Sequence, residues 1–507
     1  MGATPVFAES LQDAIGLAYR TNPSLLAQRA NQRALDESIV QARSGLRPTV
    51  SASAGVDYSR VRTDTLTTTT PAQTFPIDTN GDGIPDATGT LPAFNTTTGG
   101  TFETDGASAS ISLSQNIWTA GRVSRGIAAA EANVLAGREN LRDVEQQVMV
   151  SVIQAYADVT RDLEILRIRQ ENLIVLRRQL DESNARFEVG EITRTDVAQS
   201  EARLAQSESD LAAAQAQLSV SRAAYAAVVG QAPANLQALP TLPGLPTDFD
   251  NAMDVGLVDN PAVRAALYGQ QAAEANVAAA RAEYMPSARL TASYGGTAGD
   301  LSSFSLTDRT SLTAGATVSV PLFTGGLNRS RVAQALERAN AAQINVEGQR
   351  RSVLQSVSSA YAQMSAARSS VQAGEQAVRA ASVAAEGVRQ EAQVGLRTTL
   401  DVLNQELELR NAQIALASAQ RNQYVAQAQL LAAMGRLAGP NLDPTIEAYD
   451  PADNYRAVRN RGALPWDGAV EAIDRIAAPV ITPAMDAEDA PVDCQLKGEV
   501  VRTAPQA

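Results

Sequence analysis

The residues with an evident capacity for chemistry are few, and the densest group lies in one segment, Asp78-Thr79-Asn80-Gly81-Asp82-Gly83-Ile84-Pro85-Asp86. Asp78, Asn80, Asp82 and Asp86 put oxygen ligands at positions one, three, five and nine, with glycine at six, the spacing that a calcium loop uses. Position twelve is Gly89 instead of a bidentate glutamate, and no helical pattern flanks the segment. A solvated Asp/Gly-rich hairpin loop accounts for the same residues. Bound calcium would stiffen the loop that carries it, and no other cofactor is expected.

With no histidine among 507 residues, histidine-based catalytic triads and most zinc or copper sites are excluded, and an enzyme is not expected. The single cysteine, Cys494, can form no intrachain disulfide. The net charge of −13, without a dense Lys/Arg patch, argues against nucleic acid as a partner. No run of about 18 apolar residues exists, so no transmembrane helix is expected, which leaves a β-barrel open. The start lacks the basic and long apolar parts of a signal peptide, yet Val6-Phe7-Ala8 has the small-residue pattern of a cleavage site. Residues 1–8 therefore read as a signal-peptide remnant or a flexible terminus.

The elements that carry the remaining residues occur twice. Gln115-Asn116-Ile117-Trp118-Thr119-Ala120-Gly121 answers Val320-Pro321-Leu322-Phe323-Thr324-Gly325-Gly326, a separation of 205 residues. The same separation recurs at Tyr156/Tyr361, Val189-Gly190/Val394-Gly395, Asp196-Val197/Asp401-Val402 and Gly230/Gly435. Upstream, Asn22-Pro23 answers Asn260-Pro261 and Pro48 answers Pro286, both at 238. The difference of 33 is an insertion in the first half, and the Thr-, Gly- and Asp-rich stretch 60–106 reads as a long loop. The chain divides into a first repeat (9–230), a Pro-rich linker (231–249), a second repeat (250–436) and an acidic, Pro-rich tail (437–507) expected to be irregular or partly disordered.

Each repeat carries two strand patterns of period two, near 48–58 and 107–117 in the first and 286–295 and 310–322 in the second. In residues 107–114 every second side chain is apolar and the intervening ones are serine. A small, hydroxylic face opposite an apolar one suits a wet lumen backed by lipid, although a soluble sheet with one dry face has the same alternation. Four strands cannot close a barrel, for which about eight are needed, and an open edge in lipid is not tolerable. Several chains must therefore pool their strands.

Long helices are expected over 122–188, 192–230, 327–393 and 398–435, the first on the order of 100 Å long. Val197, Leu204, Leu211, Leu218 and Tyr225 are spaced by seven, as are Val402, Leu409, Leu416, Gln423 and Leu430. These are coiled-coil seams. A trimeric coiled-coil surface adhesin or fibre would also carry them, but would place its membrane strands at one terminus.

The order of elements and the Asn-Pro, Phe-Thr-Gly-Gly and Val-Gly…Asp-Val motifs resemble the TolC family of outer-membrane efflux and secretion proteins across nearly all of 9–440. The resemblance implies an α+β membrane protein: a homotrimer with a 12-stranded outer-membrane barrel, four strands per chain, continuing into a coiled-coil periplasmic barrel. It implies a passive channel in outer-membrane lipid, recruited by a periplasmic adaptor (membrane fusion) protein and an inner-membrane transporter of the RND, MFS or ABC type. Carried over by position, Arg397, Asp196 and Thr195 resemble the gate latch, Asp401 and Asn404 fall on the constriction ring, and Val189-Gly190 and Val394-Gly395 on adaptor-contacting turns. Asn404 stands where a second acidic ring is found in the family and Ala392 where a tyrosine joins the latch, so a less acidic and less tightly latched entrance is expected.

Overall fold

The computed structural model describes residues 9–299, 306–307 and 309–483; the candidate signal remnant and Cys494 lie outside them. The first half runs α1 (Leu11–Thr21), α2 (Pro23–Ser44), β1 (Thr49–Thr70), β2 (Gln73–Ile77), β3 (Ala87–Leu91), β4 (Phe94–Trp118), α3 (Arg122–Glu188) and α4 (Arg194–Val229). The second runs α5 (Phe249–Asp259), α6 (Pro261–Ala282), β5 (Ser287–Ala298), β6 (Arg309–Ser319), α7 (Leu327–Gln393) and α8 (Thr399–Ala433), followed by α9 (Gly439–Leu442), α10 (Ala452–Val458) and α11 (Asp467–Asp474). No described helix is long and apolar enough to cross a membrane.

The short helices start where local chemistry places them. Ser10 and Asp13 form a reciprocal capping box on α1, and Asn22 accepts from the amides of Ser24 and Leu25 to cap α2, with Pro23 at the first helical position. The same asparagine donates Nδ2 to the carbonyl of Val228 at 3.0 Å, and Asn260 donates to Ala433 at 2.9 Å. Each Asn-Pro pair thus starts one helix and ties it to the end of another. Beneath them lies the main core, where Tyr156 donates to the carbonyls of Glu9 and Gln237, and Tyr225 donates to the Glu9 carboxylate at 2.6 Å.

The stretch 60–106 is a correction: most of it is strand. β1 and β4 pair antiparallel from Thr49↔Ser114 to Thr70↔Phe94, with one shift between Thr63 and Leu66, and β2 pairs β3 beyond them. Threonine runs look like loop by polarity, but the β-branched side chain favours strand, and pairing satisfies the backbone. The strands are therefore 22 and 25 residues long, against the ten or so expected. In the second half β6 stops at Ser319, short of the expected Leu322.

The sheet order is β1-β4-β5-β6, with register Ala52↔Ile111↔Tyr294↔Leu312 on one face and Ser51↔Ser112↔Ser293↔Thr313 on the other. Ser51 and Ser112 hydroxyls lie 2.8 Å apart and those of Ser53 and Ser110 3.0 Å apart, so the polar face carries a hydroxyl ladder. Apolar rows on the opposite face are exposed in the single chain. β1 and β6 are open edges.

The tail is the second correction as far as 483, where the described residues end: three short helices lie within 439–474, held by specific anchors. The Arg29 guanidinium lies 4.4 Å from the Tyr19 ring centre and 4.8 Å from that of Tyr449, which clamps the tail to α1 and α2. Arg47 pairs with Asp467 at 2.8 Å. Proline and acid content suggested a solvated chain; isolated anchors at wide spacing outweigh that composition.

Candidate functional site

α3 and α7 each continue for 67 residues, about 100 Å, and lead from the sheet to two turns at the far end. Gly190 (φ 77°) and Gly395 (φ 80°) supply the left-handed residue that ends each helix, with the amides of Glu191 and Leu396 bonded back to Arg186 and Glu391. Thr193 and Asp196 then form a capping box that starts α4, and Thr398 and Asp401 form its counterpart on α8. Each turn leaves valine bare: Val189 is 72% exposed and Val394 71%, with Leu396 at 75% beside it. Leu396 was missed from sequence because a single leucine in a turn has no periodic signal.

The box bonds hold both carboxyls below the ordinary carboxylate value, first through the amides of Thr193 and Thr398 and then through their hydroxyls. Both are therefore anionic at neutral pH. Asp196 and Asp401 are not joined to Arg397 within the chain: Arg397 Nε donates to Glu391 Oε2 at 2.8 Å, and both side chains are exposed. Thr195 is exposed at the start of α4. Asn404 is engaged across the molecule, its Oδ1 accepting from Arg203 Nη2 at 3.1 Å. That bond links α4 to α8 and so ties one coiled coil to the other. Nothing local marks Arg203 for this, since its partner is 201 positions away.

Two further links lie behind the tip. Glu406, nearly fully buried, sits between Arg389 of α7 and Arg410 of α8, the latter at 3.5 Å. Higher up, Arg421 of α8 grips Asp158 of α3 with two bonds of 2.8 and 3.2 Å, and Arg161 also reaches Asp158 at 3.2 Å. Between the coils at the tip is a cavity of about 310 Å³ lined by Arg178, Glu182, Arg186, Ala392, Thr399 and Val402 among others. Ala392 leaves that space; a larger side chain there would fill it.

The seam of the first coil is fuller than the heptad leucines indicated. Ser200, Ser207, Ala214 and Ser221 are buried alongside Val197, Leu218 and Tyr225, with Ser183 and Ser200 hydroxyls 3.1 Å apart and Asn172 donating to Ser207 at 3.1 Å. Small hydroxylic residues at alternate seam positions bring the two helices close.

At the opposite end of α3, Asp474 of the tail is fully buried. Its two oxygens accept from the backbone and hydroxyl of Thr119 (2.6 and 2.7 Å) and of Ser124 (3.1 and 2.6 Å). Gly121 gives α3 no capping side chain, so the tail supplies one.

The Asp-rich segment does not gather its oxygens. Asp78 accepts from the amides of Asn80, Gly81 and Gly83, Asp82 from Ile84, and Asp86 from Thr79. Among the described residues no three acidic, histidine or cysteine groups are placed to hold a metal. The oxygens of the calcium spacing accept from the loop's own backbone, where six amides of a tight turn bond to them, Asp82 to Asn80 Oδ1 included.

A family model described as outer membrane efflux protein matches residues 14–231 and 254–436. The outer membrane efflux protein BepC of Brucella suis is 33% identical over 457 residues, covering 90% of this chain and 91% of that protein. The outer membrane protein TolC of Escherichia coli is 26% identical over 85% of this chain and 83% of its own length. The crystal structure of the outer membrane protein VceC from Vibrio cholerae superposes with a TM-score of 0.66 at 23% identity, covering 84% of this chain and 96% of that one.

Proposed function

The chain belongs to the outer membrane efflux protein family, and on that premise we propose that it is the passive exit duct of a tripartite efflux or type I secretion system. It acts in the outer membrane and extends into the periplasm. One observation carries the reading: a sheet with apolar and hydroxyl rows on opposite faces and two open edges, continuous with 67-residue helices. Such a sheet is stable in lipid only when its edges are closed, and the helices are long enough to carry a conduit far beyond it.

The duct is a homotrimer with a 12-stranded barrel and an internally repeated chain, its apolar rows facing lipid and its hydroxyl ladder facing the lumen. The entrance opens by an iris-like movement of the coiled coils when an adaptor docks on the exposed Val189-Gly190 and Val394-Gly395-Leu396 turns and an inner-membrane transporter engages. Arg397 reaches Asp196 and Thr195 of a neighbouring chain in the closed state, exchanging the solvated Glu391 pair for an intersubunit one. Three Asp401 carboxylates form an anionic constriction that attracts cations and resists closure. Asn404 brings no charge to that ring, which is expected to be correspondingly less cation-selective. The trimeric adhesin reading receives no support from these relatives.

The test is single-channel recording from protein purified in detergent. A trimer that conducts supports the reading, and a confirmed trimer with no pore overturns it. Deletion of the chain, followed by measurement of antibiotic sensitivity and of secreted protein, separates efflux from secretion.

A further inference from the structure

Behind the tip, the cavity of about 310 Å³ lies between the coils, with α3 on one side and the end of α7 and the start of α8 on the other. That is the size at which proteins hold small organic molecules. Three arginines and one glutamate line it, in a chain whose net charge is −13. Arg186 pairs with Glu182 at 2.8 Å, and Arg389 pairs with Glu386 at 2.6 Å and with Glu406. Arg178 makes no ion pair or hydrogen bond with any described residue, and the side-chain amides of Gln179 and Gln393 in the same lining make none either.

The apolar lining comes from Val175, Ala392 and the buried Val402. Ala392 answers Phe187 at the repeat separation of 205, so one place in the fold carries a ring in the first half and only a methyl in the second. We propose that this cavity binds a small aromatic acid, a single ring carrying a carboxylate. The ring takes the space beside Ala392, against Val175 and Val402. The carboxylate pairs with Arg178, the lining cation that no acid of the chain holds, with the two glutamine amides as further donors. The surplus of arginine over glutamate in the lining disfavours a cation in the same place.

Such a ligand touches α3 of one coil and α7 and α8 of the other. It therefore binds while the coils are together and opposes their separation, because only the closed arrangement offers it both walls. By the same linkage, parting the coils weakens its hold. The effect on the entrance rests on the channel reading above; the binding does not.

Thiol protection reads the binding. In a Cys494→Ser background, Ala392→Cys places a thiol in the cavity lining and Val189→Cys places one at the exposed turn; benzoate is the probe and benzamide its uncharged analogue. Benzoate should slow maleimide labelling at position 392 and not at 189, and benzamide should slow neither. Arg178→Met should raise the benzoate concentration needed about tenfold, the loss of one charge-assisted bond. No protection at 392, equal protection by benzamide, protection at both positions, or protection unmoved by Arg178→Met overturns the site. In bilayer recordings benzoate should lower the current of the unaltered chain and leave that of Ala392→Phe, whose ring occupies the cavity, unchanged. Protection with a current insensitive to benzoate overturns the effect on the entrance and supports the site. Protection in a confirmed trimer that has no pore supports the site and overturns the channel reading.

Discussion

The two ends of the long helices are built on opposite terms. At the sheet end, α3 begins against a fully buried carboxylate with four hydrogen bonds, and near the middle of α3 Tyr225 and Tyr156 close over Glu9 while Arg29 is held between two tyrosine rings. At the tip the ion pair of Arg397 with Glu391 is in solvent and the coils are joined through an exposed bond between Arg203 and Asn404. Buried hydrogen bonds such as those of Asp474 are costly to break, whereas exposed pairs contribute little. The difference makes the part of the molecule from the sheet to the middle of α3 a frame and the tip the part that can exchange partners at small cost.

Within the frame, the two strand-to-helix junctions also differ. Trp118 donates to Ile476, Arg125 to Pro479, and a Cβ on Gly121 would come within 2.2 Å of Ala478. The second junction has no such cover among the described residues: Gly326 has open space around it. The tail therefore closes one junction, and the other is uncovered among the described residues.

The largest expected effect is at Asp474. Asp474→Ala strands the donors of Thr119 and Ser124 and should cost about 3 kcal/mol, read as a lower melting temperature and faster proteolysis of the tail. An unchanged melting temperature would break the distinction between frame and tip. Next, Gly121→Ala should cost clearly more than Gly326→Ala: both residues need positive φ, worth about 1–2 kcal/mol, but only the first also displaces the tail. Equal losses would show that the tail does not hold the first junction. Arg421→Ala, which removes the half-buried link from α8 to Asp158, should cost about 1–2 kcal/mol and separate the two coils above the tip, visible as raised hydrogen exchange in α8.

At the tip the expected changes are functional. Arg397→Ala should leave the melting temperature unmoved yet raise conductance, as should Asp196→Ala, while Asp401→Ala lowers cation selectivity; unchanged currents in all three would remove the latch and the ring. The smallest effect is that of pH, and it has opposite signs at the two ends. Asp401 and Asp196 have folded values below the ordinary 3.8, so their capping contribution is present above that value and is lost as pH falls through the lowered one. Burial raises Glu145 of the frame above its ordinary 4.5, so its penalty is present at neutral pH and relieved as pH falls through the raised value. Hydrogen exchange measured as pH is taken below 3.8 should therefore rise at the turns before it rises around Glu145.

The sequence by itself determined whatever depends on near neighbours: the bounds of α3 and α7 from the absence of proline, the turns from Val-Gly, and the strand faces from alternation. It misled where composition and conformation part company, in the threonine-rich 60–106 and in the tail. It was silent on Asp474 with Thr119, Arg421 with Asp158 and Arg203 with Asn404, pairs 355, 263 and 201 residues apart. Local periodicity carries no information about which single charged residue of a distant helix will face another. Only the packing of the two halves against each other, and of the tail against the first, decided those pairs, and with them which part of the molecule is held and which is free to move.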